Sequence, residues 1–388
     1  MRDIIYLDHA ASAPLHPQVL AAMTEGALLT GNPSSVHSAG QALRQAIDRA
    51  RDAVAAMIGS DPAEVIFTSG ATESNNSAIQ GIFSAIAERF PGRTLRVMAS
   101  PIEHPSVAEP LRSLAGSPGV EIAYLPVDGE GRVGADDVRR SLTEDTVLVC
   151  VMWVNNILGS VQPVEEIGRV VAEARAARPK GAPPLYFVCD AVQAASWRPI
   201  SVAAARVDAL SLSAHKIGGP KGVGALFLRR GVQFKPLIVG GGQEEGRRSG
   251  TENAAGIIGL GRAAELAVAD RETEAARCRQ IRCALVSGIG GAVKGARILG
   301  ADGERAAPGI VYVQFPKWRG DLLAMKLDAA GFAVSSGSAC DAGSRQAPEA
   351  LNAVYGEKMA RHGGIRVSFG RQTTPADIDQ LLGALGRL

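Results

Sequence analysis

The stretch LSLSAHKIGGPKGVGALFL, residues 210–228, decides the fold. Its two ends are short apolar runs, and its middle is a turn punctuated by glycine and proline. Runs of that length bounded by such breakers read as buried strands, so strands are expected over 209–212 and 224–228, with Ser213, His215 and Lys216 where the first one ends. Ligands collect at strand ends in open α/β sheets. A lysine placed there can form a Schiff base with an aldehyde when its surroundings help to deprotonate it. The plainer alternative is a solvated loop lysine, which is the reading given to Lys221.

Outward from this stretch, strand and helix patterns alternate. Further strands are expected over 65–67, 95–99, 121–125, 146–152 and 185–189. Helical spacing links Ala42, Leu43, Ala46, Ile47, Ala50, Val54 and Met57, and recurs over 164–177. This alternation predicts an α/β fold with a mainly parallel sheet covered by helices. The pattern breaks over 235–251, where three consecutive glycines precede a Glu-Glu/Arg-Arg cluster, and a long helix is expected over 254–285. A smaller C-terminal α/β unit follows, with strands over 310–314 and 365–369 and a closing helix after Pro375. The expected division is a large domain over 15–260 and a small one formed by 1–14 and 261–388.

Composition narrows the function. Forty-one Lys plus Arg against 39 Asp plus Glu give a net charge of +2 over 388 residues, which is no electrostatic footprint for nucleic acid or an anionic membrane. A small molecule or another protein is the expected partner. The five cysteines are odd in number and never spaced C-x-x-C, and the six histidines form no metal-ligand pair, so neither a disulfide framework nor a metal site is expected. The opening MRDIIYLDHAASAP lacks the pattern of a secretory signal, and no apolar run is long enough to cross a bilayer; a reducing cytoplasm is the expected compartment.

Three further stretches carry chemistry. In YFVCDAVQ, Asp190 ends a strand and Gln193 follows it; a carboxylate there holds a pyridinium nitrogen protonated, deepening the electron sink of pyridoxal phosphate, with Gln193 placed to reach the ring's phenolic oxygen. The alternative for Asp190 is a helix N-cap, and Cys189 reads as core. In FTSGATESNN a Ser-Gly turn opens a helix near Thr72, offering free amides and hydroxyls to an anion such as phosphate. The alternative there is a plain capping box of Thr72 with Asn75. In SSGSACDAG, residues 335–343, Cys340 stands among small residues that cannot pack, so its loop, 335–345, is expected to be mobile.

The set GNPSSVHSAG, FTSGATESNN, Glu103-His104, Val154-Asn155-Asn156, CDAVQ, SAHKIGGPKGVGAL, GGGQEEGRRSGTEN, SSGSAC and IRVSFGR resembles, in order and over nearly the whole chain, the cysteine desulfurases. These are class V members of the fold-type I pyridoxal-phosphate enzymes. The resemblance implies that Lys216 binds the cofactor and later moves the substrate's α-proton, and that His104 stacks on the ring. Asp190 and Gln193 keep the roles just given. Ala71, Thr72, Ser213 and His215 correspond to the phosphate site, and Thr251 to a phosphate ligand supplied across a homodimer interface. Asn155 and Arg366 correspond to the residues that hold the substrate carboxylate, for which arginine's planar fork is suited. Asn32 is placed in the same pocket, although an asparagine before proline is as often a turn former.

The implied reaction converts L-cysteine to alanine, with the sulfur passing to Cys340 as a persulfide and then to a sulfur-acceptor protein such as an iron-sulfur scaffold. The thiolate is the reactive form of the cysteine. Selenocysteine lyases, kynureninase-like hydrolases and aminotransferases share the lysine and aspartate but are separated by the Cys340 motif. A non-catalytic scaffold on the same fold is the rival of another class.

Overall fold

The computed structural model describes residues 4–337 and 348–388. Cys340 and most of the loop assigned to it lie outside the described residues. Numbered along the chain, the strands are β1 Ile5–Tyr6, β2 Val65–Thr68, β3 Leu95–Ala99, β4 Val120–Tyr124, β5 Thr146–Cys150, β6 Tyr186–Asp190, β7 Ala209–Ser213, β8 Gly224–Leu228, β9 Arg297–Leu299, β10 Ile310–Gln314, β11 Phe332–Ala333 and β12 Ile365–Ser368. The helices are α1 Pro17–Ala27, α2 Ser38–Ile58, α3 Ala71–Arg89, α4 Pro105–Ala115, α5 Ala135–Ser141, α6 Val164–Ala176, α7 Val202–Ala205, α8 Ala254–Ala292, α9 Gly320–Ala329, α10 Glu349–Tyr355, α11 Glu357–His362 and α12 Pro375–Arg387.

Seven strands form the main sheet in the order β2-β8-β7-β6-β5-β3-β4. It is parallel from β7 through β4, whereas β8 runs antiparallel to both of its neighbours. Every residue of β5, β6, β7 and β8 is buried, as befits strands covered on both faces. Alternation along β6 separates the two cores. Tyr186 and Val188 pack with Ile79, Ile82 and Leu111 of α3 and α4 on one face. Phe187 and Cys189 pack with Ile47, Val54 and Ile167 of α2 and α6 on the other.

A second, antiparallel sheet has the order β12-β10-β9, and α8, α9 and α12 cover it through Leu285, Leu323 and Leu381. The closing helix opens on a capping box, Thr374 with Asp377, and Pro375 occupies its first turn. The N-terminal segment joins this region: β1 pairs with β11, and Asp8 bridges to Ser368. Helix α8 is continuous for 39 residues, so residue 260 falls inside it. Its first part supplies Leu260 and Ala264 to the α2 side of the main sheet, and its last part supplies Cys278 and Leu285 to the small sheet.

Gly224 pairs at once with Thr68 of β2 and Ser213 of β7. A methyl group there would lie 2.6 Å from the Leu212 carbonyl oxygen and 2.7 Å from the Gly70 Cα, both backbone atoms that no rotamer change can move aside. Gly224→Ala is therefore expected to cost about 1–3 kcal/mol, as overpacking does, measured as a lower urea midpoint with an unchanged denaturant slope.

Candidate active site

Strands β5, β6 and β7 are parallel, so their carboxyl ends share one edge of the sheet. The common pairing of Gly224 with Thr68 and Ser213 brings the end of β2 to that edge as well. The sequence segments 69–72, 190–193 and 213–216 are therefore delivered to one place by the topology. His104 follows β3 on the same edge, since β3 runs parallel to β5.

Asp190 is 6% exposed. Its Oδ1 accepts from the Val192 amide at 2.9 Å, which is the turn-capping role, and its Oδ2 accepts from Asn75 Nδ2 at 3.0 Å. The Asn75 amide also donates to Ser106 Oγ at 2.9 Å, and that hydroxyl lies 2.8 Å from His104 Nδ1. His104 Nδ1 accepts from the Ser106 amide at 3.1 Å and caps α4. With Nδ1 committed as an acceptor, the neutral ring carries its proton on Nε2. One line of hydrogen bonds thus runs from Asp190 to His104.

The alternative reading of FTSGATESNN, a capping box of Thr72 with Asn75, is not what forms. Asn75 is fully buried and turned toward Asp190, and α3 starts at Gly70 without any side-chain cap. Gly70 has φ 154° and ψ 175°, a conformation essentially confined to glycine. The first amides of α3 therefore remain open to an anion, with Ala71 half-buried and Thr72 exposed. Beside them, His215 Nδ1 lies 3.3 Å from Ser12 Oγ. Burial, reinforced by the charges of Lys216 and Lys221, pushes the His215 pKa down to about 4.

Lys216 Nζ donates to the carbonyls of Ala10 at 2.6 Å and Ala11 at 2.7 Å. Gln193 Nε2 donates to the same Ala10 carbonyl at 2.8 Å. Thr251 is exposed, at the end of a segment anchored to the main sheet: Glu244 takes a two-pronged ion pair from Arg51, at 2.7 and 2.8 Å, and accepts from the Phe67 amide at 3.0 Å. Arg248 of the same segment pairs with Glu73 of α3 at 2.8 Å.

Of the three residues assigned to a substrate carboxylate, only Arg366 carries a charge into a buried position. It is 3% exposed, with Nη2 on Asp8 Oδ1 at 2.7 Å, Nη1 on the Asn156 carbonyl at 2.8 Å, and Nε without a partner among the described residues. It is therefore a buried ion pair and not a surface one. Asn155 is fully buried, and its amide is already engaged: Oδ1 accepts from the Ile157 and Leu158 amides, and Nδ2 donates to the Ile102 carbonyl and Met152 Sδ. It shapes the loop next to Arg366, and it would have to surrender a bond to meet a carboxylate. Asn32 is exposed and accepts from the Ser34 amide at 2.9 Å, which is the turn-forming alternative.

Some residues of the site had no signal that singled them out. Asn75 looked like a cap, Ser106 like an ordinary helix residue, and the Ala10 and Ala11 carbonyls have no sequence signature at all. Glu103 is another. It is 6% exposed, Oε1 accepts from the Met152 amide at 2.7 Å, and Oε2 has no partner among the described residues. Burial, with the Asp190 charge adding to it and the Met152 amide opposing, raises its pKa to about 8.

The residues match the class-V aminotransferase family model over 5–381. The chain is 39% identical to the cysteine desulfurase IscS of Dictyoglomus turgidum, covering all of this chain and 95% of that one. It is 41% identical to the putative cysteine desulfurase IscS 1 of Bacillus subtilis, over 96% and 95%. Its structure resembles a NifS-like protein with a TM-score of 0.88 at 35% identity, over 99% and 98% of the two chains. The fold and edge define a class-V aminotransferase architecture. Within it, the chain belongs to the cysteine desulfurase family, whose members depend on pyridoxal phosphate and remove sulfur from cysteine. The donor set fits that cofactor: a buried carboxylate for a ring nitrogen, an amine for an aldehyde, and uncapped helix amides for a phosphate.

Glu103 supplies a test of the site's electrostatics. Its folded pKa lies above the ordinary 4.5, so its contribution to stability is fully present below pH 4.5 and is lost as pH rises toward about 8. Glu103→Gln keeps the acceptor for Met152 and cannot ionise. Urea unfolding across that range is expected to show wild-type stability falling relative to the variant, and parallel curves would contradict it.

Proposed function

We propose that this chain removes sulfur from L-cysteine, releases alanine and carries the sulfur on Cys340 as a persulfide. The observation that carries the reading is the hydrogen-bonded line Asp190–Asn75–Ser106–His104, built at the sheet edge that also holds Lys216. When bound, pyridoxal phosphate supplies an electron sink for charge developing at the substrate's α-carbon. Asp190 keeps the ring nitrogen protonated, and Asn75 fixes the carboxylate that does so. The α3 amides with Ala71 and Thr72, together with Ser213 and His215, hold the phosphate, and Gln193 reaches the phenolic oxygen. His104, oriented by Ser106, stacks on the ring.

Lys216 holds the aldehyde at rest and moves the α-proton during turnover. The Ala10 and Ala11 carbonyls receive its ammonium when it carries a proton. Arg366 binds the substrate carboxylate with Asn155 and Asn32 lining the pocket, and the Asp8 carboxylate is displaced from the guanidinium by the incoming anion. The Cys340 thiolate attacks the substrate sulfur. A sulfur-sulfur bond forms, the carbon-sulfur bond breaks with its electron pair left on the substrate's β-carbon, and protonation there together with return of the proton from Lys216 to the α-carbon yields alanine.

Residues 15–260 form the cofactor-bearing domain, and 1–14 with 261–388 form the smaller one. Two copies share their active sites, Thr251 reaching the phosphate of the partner's cofactor. In support, Thr251 is exposed and Leu237, Ile238 and Val239 of the segment leading to it are exposed too, an unusual outlay of apolar surface for a lone chain. The acceptor is a sulfur-carrier protein of the iron-sulfur scaffold kind, and the compartment is the cytoplasm. Consistent with that, no helix among the described residues is long and apolar enough to cross a membrane, and Cys150, Cys189 and Cys278 are free and buried.

Mass spectrometry after exposure to L-cysteine is expected to find one added sulfur, on Cys340. Cys340→Ala should retain the visible absorbance of the bound cofactor and lose sulfide release; undiminished turnover would favour a lyase that needs no thiol. Arg366→Lys keeps the charge and removes the fork, so the KM for cysteine should rise about ten-fold or more, a change worth about 1.4 kcal/mol. An unchanged KM would remove Arg366 from the substrate site.

A further inference from the structure

One cavity borders the Lys216 segment with neither Asp190, His104 nor Arg366 in its lining. Its volume is about 370 Å³, and it shares Lys216 and Gln193 with the residues assigned to the cofactor. Lys216, Ile217 and Gly218 form one wall, Trp197 and Leu15 line it, and α8 closes it with Leu266 and Arg271. This is the gap between the two cores, since α8 leaves the first after Ala264 and enters the second at Cys278.

Arg271 is 9% exposed, and its Nε and Nη2 have no hydrogen-bond partner among the described residues. The acidic groups around the cavity are already taken. Asp270 pairs with Arg371 at 2.7 Å, and Glu274 with Arg277 at 2.8 Å. Burial presses the Arg271 pKa down, with Glu272 opposing. A second wall atom is in the same state: His9 is 8% exposed, its Nδ1 lies 3.2 Å from the Ser368 carbonyl, and its Nε2 is sealed without a partner.

A guanidinium buried without a counter-ion is costly, and its removal from water is repaid only by an anion in good geometry. The remaining walls are mainly apolar, and the volume falls within the range of small-molecule sites. We propose that this cavity is a second binding site, for a small monocarboxylate with an apolar body, held by Arg271. Its wall includes Ala10, whose carbonyl accepts from both Lys216 and Gln193, so occupancy is coupled to the groups that hold the catalytic lysine.

The test uses the full-length, cofactor-loaded protein with hydrocinnamate as the probe and its uncharged amide as the control. Titration calorimetry in the presence of saturating L-alanine, which fills the substrate site, is expected to show one hydrocinnamate per chain and amide binding weaker by about ten-fold or more. Arg271→Gln should abolish the preference for the carboxylate, while Arg271→Lys retains part of it. The Trp197 fluorescence should change on binding and stop changing in Trp197→Phe. Absence of binding, displacement by alanine, or an undiminished preference in Arg271→Gln would each overturn the proposal. These readouts measure binding alone, so their failure would leave the desulfurase reading untouched, and loss of sulfur transfer would leave this one untouched.

Discussion

Asp190 is a carboxyl group where water barely reaches, and a polar group in such a place must find partners within the protein. It finds the Val192 amide and Asn75, and much of the site's order follows from that need. Asn75 is drawn inward from α3, which leaves the start of that helix uncapped. Its amide then holds Ser106, and Ser106 sets the tautomer and tilt of His104. Satisfying one buried acid therefore leaves the first amides of α3 open and orients the His104 ring.

The sheet was legible because its strands are buried on both faces. Continuous apolar runs such as 146–150 and 224–228 mark that situation directly, and the breakers between them mark the turns. Lys216 and Asp190 were legible for the same reason: each stands where an apolar run stops. What escaped was whatever depended on partners distant in the chain or on the main chain itself. The Asp8–Arg366 pair joins residues near opposite ends of the sequence, and no local pattern announces it. The carbonyls that receive Lys216 belong to alanines, whose side chains say nothing of the task. Asn75 shows the competition most clearly, since local rules offered it a cap as an alternative while the buried carboxylate claimed it.

The three residues proposed for a substrate carboxylate show how residue type underdetermines role. An asparagine serves equally well as a turn former and as a ligand, and environment decides between them. Asn155 and Asn32 each spend their side chains on nearby amides, whereas Arg366 brings a charge that local backbone cannot neutralise. Charge, more than hydrogen-bonding capacity, is what marks a residue waiting for an anion. The contrast with Arg271 is instructive, because Arg366 is paired with Asp8 and Arg271 has no comparable carboxylate among the described residues.

Helix α8 spans roughly 58 Å at the usual rise per residue, and one continuous face of it seats both cores. Melting either core would strip that face and shorten the support of the other. Heat or denaturant should thus encounter a single cooperative unit, even though the chain contains two sheets that look separable on paper.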